Sequence, residues 1–105
     1  MRSEAVTGVT FEYSGSLAEG LIVEREASTT RIPPKAIQLI RQEIVGRSPV
    51  RMGATRDHPA KDSVGETLVR NGFQAQFMSY VLPLLVEEGY CSVRKEGRGF
   101  VIRKV

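Results

Sequence analysis

Five cations crowd the last stretch of the chain. VRKEGRGFVIRK, residues 93–104, holds Arg94, Lys95, Arg98, Arg103 and Lys104 against one acid, Glu96. Guanidinium and ammonium groups at that density can neutralise phosphates, which is where most nucleic-acid affinity comes from. The competing explanation is protection, because lysine and arginine on a terminal strand discourage pairing with other chains. Other chemistry finds little material. Asp57 and His58 are neighbours, and a carboxylate beside an imidazole can tune its pKa. The sequence supplies them with neither a nucleophile nor a metal partner. Cys91 is the single cysteine, which excludes an internal disulfide, and with one histidine it cannot complete a zinc ligand set. At the start of a strand it reads as a small buried hydrophobe. No catalytic residue, metal or cofactor is expected, and the chain does not read as an enzyme.

These residues must be positioned by a small fold. A length of 105 residues suits one domain, 1–105, with a single core. Apolar residues at 41 % and charged residues at 26 % are globular proportions, not those of a disordered chain. No apolar run is long enough to span a bilayer, and residues 1–5 lack the apolar core of a signal peptide. A reducing cytoplasm is the expected location, without a membrane partner. Charge is unevenly shared. Residues 1–34 carry three basic and five acidic side chains, a net of −2, which leaves +5 for residues 35–105. That split favours an acidic partner for the second part.

Residues 6–13 and 21–30 have strand composition around a Ser/Gly loop at 14–20, so an N-terminal β-hairpin is expected over residues 1–30. Pro34 can open a helix whose stripe is Ala36, Ile37, Ile40, Ile44 and Val45, with Gly46 placed to end it. Residues 47–62 lack periodicity and read as an ordered loop, with a short extended piece at 50–52. Ser63 and Glu66 fit a capping box for a helix over 63–71 that stops at Gly72. A third helix is expected over 74–88, kinked or broken near Leu82 by Pro83, with Gly89 as its cap. Residues 90–95 and 99–105 complete a basic hairpin.

Helix, connector, short helix, glycine turn, longer helix and basic hairpin, in that order over residues 34–105, resemble the winged helix-turn-helix family. GETLVRNGFQAQFMSYVLPLLVEEGYCSVRKEGRGFVIRKV carries the likeness, above all in its NG turn, its EEGY step into a strand and its KEGRG tip. The expected fold is therefore α+β, an N-terminal β-hairpin followed by a three-helix winged-helix domain with a C-terminal basic β-hairpin. The resemblance implies a double-stranded DNA binder, with transcription regulation as its role. Gln74, Gln76, Ser79 and Tyr80 would face base edges. Arg94, Lys95, Arg98 and Arg103 would hold phosphates, helped by Lys104, Arg70 and by Arg51 or Arg56. Several positions depart from the pattern. Leu68 stands where a small residue belongs, Asn71 where a hydrophobic one does, and residues 74–88 contain no lysine or arginine and end in Glu87-Glu88. Those departures suit the alternative, a winged-helix protein-interaction or dimerisation module without DNA binding. Val9, Phe11 and Tyr13 form an apolar strand face, from which a homodimer through the N-terminal hairpin is expected.

Overall fold

A computed structural model of the chain describes residues 1–5, 8, 10–54, 59–97 and 99–105. Within them the architecture is mixed α and β, with three helices and two antiparallel sheets. The first sheet corrects the expected hairpin. It is a four-stranded meander of β1 (Arg2–Glu4), β2 (Thr10–Ser16), β3 (Gly20–Arg25) and β4 (Ser28–Ile32), in that spatial order. Gly15 explains part of the difference. It pairs with Leu21 inside the ladder at φ +90°, and a Cβ there would lie 2.2 Å from the Gly20 carbonyl oxygen. The residues SGS therefore extend the strand, and the loop shrinks to Leu17, Ala18 and Glu19. Glu26 and Ala27 then turn the chain back, with Arg25 opposite Ser28, and split the single strand expected over 21–30.

Residues directly opposite on antiparallel strands share a face. Tyr13 pairs with Val23, and Leu21 with Ile32, so these four and Phe11 line one side of the meander. Phe11, Leu21, Val23 and Ile32 are buried. The other side carries the row Arg2, Glu12, Glu24 and Thr29. Two carboxylates opposite each other repel, and Arg2 answers one of them with an ion pair of 3.1 Å to Glu12.

Helix α1 (Pro34–Arg47) buries Ala36, Ile37, Ile40 and Ile44. Val45 is exposed, and Gly46 stays helical, so the helix runs past its expected stop to Arg47. Strand β5 (Val50–Arg51) occupies the expected extended piece. Helix α2 (Val64–Arg70) is capped by Ser63, whose Oγ accepts the Glu66 N–H at 3.1 Å. Only half of the capping box closes, because the Glu66 carboxylate accepts from the Asp62 N–H instead. Gly72, at φ +83°, makes the turn that follows, a conformation cheap only for glycine.

Helix α3 (Phe77–Glu87) starts three residues later than expected. The N–H groups of Phe77 and Met78 donate to the carbonyls of Gln74 and Ala75, a tighter turn that precedes the helix proper. Pro83 lies inside α3, which runs through it without a break. Strands β6 (Cys91–Glu96) and β7 (Gly99–Lys104) join β5 in the order β5-β7-β6. Helix α1 packs on β5 and β7, while α3 touches both β6 and β1. Helix α3 is thus wedged between the two sheets, and a single apolar cluster runs from Phe11 through Ile40 and Leu82 to Ile102. Among the described residues no helix is long and apolar enough to cross a membrane.

Candidate nucleic-acid interface

Strand register sorts the cations of the second sheet. Val50 lies opposite Ile102, and Ile102 opposite Val93, so their face points to the helices. Arg51, Val101 and Arg94 form the adjacent row on the opposite face. Arg103, two residues beyond Val101 on β7, shares that outer face with its partner Ser92. Strand spacing sets the Cα atoms of Arg51 and Arg94 about 10 Å apart, with Arg103 about 7 Å along β7 from their row. All three arginines are exposed. Arg51 and Arg94 make no ion pair among the described residues, and Arg103 Nη2 lies 3.8 Å from Glu96 Oε2. Three guanidinium groups delivered from three strands to one open face can bind an extended polyanion.

The other predicted phosphate contacts separate from this face. Lys95 pairs with Phe100 and belongs to the inner side, beyond the end of the core. Lys104 is also on that side, with Nζ 4.4 Å from the centre of the Tyr90 ring. The Arg41 guanidinium sits 4.7 Å from the same ring, and the Tyr90 hydroxyl donates to the Arg41 carbonyl. Arg70 is paired with Glu66 at 2.8 Å. Arg56 and Arg98 lie outside the described residues, as do Val9 and the Asp57-His58 pair.

The proposed base-reading helix needs correction. Tyr80 does not face outward: it is 9 % exposed, with its ring edge-on to Phe11 at 5.1 Å. Its hydroxyl accepts from Arg25 Nη1 at 3.4 Å, and that hydrogen bond, ahead of smaller electrostatic contributions, raises the Arg25 pKa further. The cause is the meander, whose apolar face needs a partner and finds it on α3. Gln74 is exposed but precedes the helix, Gln76 sits at the N-cap, and Ser79 is half-buried. Seven of the eleven helix residues are buried: Phe77, Met78, Tyr80, Val81, Leu82, Leu84 and Leu85. A helix apolar on nearly all sides is an interior helix. The same contact buries Phe11 of the strand face expected to carry a homodimer, while Tyr13 stays half-buried and Val9 lies outside the described residues.

What α3 still presents is Ser79, Pro83, Val86 and Glu87, without a cation. Pro83 and Val86 join Val93 and Phe100 in a shallow groove of about 400 Å³, rimmed by Glu4, Glu87 and Lys95. Cys91 is buried, and burial pushes its thiol pKa up against the opposing pull of Lys104 and Arg41. Among the described residues no three metal-ligating side chains converge. Comparison with known proteins yields no matching family model, no matching curated protein and no matching solved structure.

Proposed function

We propose that residues 34–105 form a winged-helix unit that binds double-stranded DNA through the outer face of its three-stranded sheet. The succession α1, β5, α2, α3, β6, β7, with strand order β5-β7-β6, supports the winged-helix reading. The observation that carries the function is the convergence of Arg51, Arg94 and Arg103 on one exposed sheet face. In this reading contact moves from α3 to the sheet, because the Tyr80 side of α3 is occupied by the meander. A role in transcription regulation would leave base recognition to Gln74, Gln76 and Ser79. Self-association would need a surface other than the buried Phe11 face.

The test is binding of a labelled duplex, read by fluorescence anisotropy, to the parent chain and to the variant Arg51→Gln/Arg94→Gln/Arg103→Gln. The reading requires the parent to bind and the variant to lose most of that affinity while keeping its circular dichroism. Equal binding by both proteins, or none by either, removes it. A second reading, a protein-interaction module, is favoured by one specific feature: the cation-free stripe of α3 that leads into the groove of Pro83, Val86, Val93 and Phe100.

A further inference from the structure

The outer face has a composition that narrows its ligand further. Among the described residues, apart from the three arginines, its strands present Ser92, Val101 and Glu96, with no aromatic ring and no amide side chain. Phe100 lies on the opposite side of the sheet, and Tyr90 is held by Arg41 and Lys104. Binding of single strands depends on aromatic platforms for unstacked bases. Base-edge readout in the major groove depends on a narrow element, a helix or a two-stranded ribbon, carrying its bidentate donors inward, and these arginines are spread over three strands. Phosphates are what remains within reach.

One carboxylate competes with them. Glu96 Oε2 is 3.8 Å from Arg103 Nη2, and both side chains are about half exposed, at 49 % and 52 %. At that distance the two form an ion pair without a hydrogen bond, so the carboxylate offsets the arginine's charge and repels a phosphate that approaches it.

We infer that the Arg51, Arg94 and Arg103 face takes the phosphate backbone of a duplex irrespective of base sequence, with Glu96 as an internal competitor for Arg103. The inference rests on the DNA-binding reading above and adds the ligand class and the role of Glu96. Three neutralised phosphates on a duplex give a log–log salt slope of about −2.7, and on a single strand about −2.1. An exposed ion pair is weak, so releasing Arg103 from Glu96 tightens binding by no more than about fivefold.

The experiment titrates two labelled duplexes, one rich in A·T and one in G·C, and one matching single strand. Each is measured against the parent chain, Glu96→Gln, Arg103→Gln and the double variant at several salt concentrations. The inference expects both duplexes to bind within about twofold of each other and more tightly than the single strand. It expects Glu96→Gln to tighten duplex binding when Arg103 is present, by more than removal of the same charge does in the Arg103→Gln background. A preference of about tenfold or more between the duplexes, tighter binding of the single strand, or equal Glu96 effects in the two backgrounds overturns it. Those outcomes leave DNA binding by the arginine face standing. That reading falls only if the triple arginine variant binds as the parent does, or if the parent does not bind.

Discussion

Replacing Phe11 by alanine tests whether the N-terminal meander and the helices are one cooperative structure, which decides whether α3 can ever be free to enter a groove. Phe11 is 2 % exposed, and its ring meets Tyr80 edge-on at 5.1 Å and Tyr13 at 5.9 Å. Truncating a buried phenylalanine costs about 3–5 kcal/mol. A chain of this length has a total stability of about 5–15 kcal/mol, so the loss is a large share of it. The aromatic geometry adds a separable part. A double-mutant cycle of Phe11→Ala with Tyr80→Leu should return a coupling of about 0.5–1.5 kcal/mol. The assay is urea denaturation followed by far-UV circular dichroism and by tyrosine fluorescence. Tyr13 reports from the meander, Tyr90 from the end of α3, and there is no tryptophan to mask them. The expected result is one coincident transition, shifted to lower urea for the variant. A loss below about 1 kcal/mol, or two transitions with helical signal outlasting the sheet, would refute the shared core.

Three further outcomes are expected. Ser63→Ala removes the acceptor for the Glu66 N–H at a fully buried cap and should cost about 1 kcal/mol in the same denaturation assay, with a range of about 0.5–2. Gly65→Ala would set a Cβ 1.7 Å from the Gly53 carbonyl oxygen, a clash with main chain that no rotamer change relieves; the thermal midpoint should fall by about 10 °C or more. Burial raises the Cys91 thiol pKa, so its contribution to stability is complete below the ordinary thiol pKa and is lost as pH rises through the folded value. Parent stability measured between about pH 8 and 10 should therefore fall more steeply than that of Cys91→Ala, and parallel curves would contradict the assignment.

Helices and the C-terminal hairpin were legible where local chemistry and tertiary packing agree. Pro34 at a helix start, Ser63 as a cap, and Gly72 and Gly97 at positive φ all follow from backbone preference. The meander was not legible, for physical reasons. Glu26 and Ala27 make a tight turn without glycine, proline or asparagine, and β1 consists of Arg-Ser-Glu. Nothing in those residues signals a strand or its end. Tyr80 misleads because a phenol serves equally well at a surface and in a core, provided its hydroxyl finds a partner, and Arg25 supplies one from 55 residues away. The arginine face was half visible. Arg94 and Arg103 stood out by density, but Arg51 belongs to a two-residue strand with no periodicity to read. Only the register of β5, β7 and β6 assigns the three to one side and Lys95 to the other.

If the proposed function holds, nucleic acid meets the outer sheet face and not α3. Amide chemical-shift mapping of the isotope-labelled chain during titration with a short duplex tests it residue by residue. The largest shifts should fall on Arg51, Ser92, Arg94, Val101 and Arg103, and should fade as salt rises. Shifts concentrated on Ser79, Val86 and Glu87, with the sheet face unchanged, would contradict it.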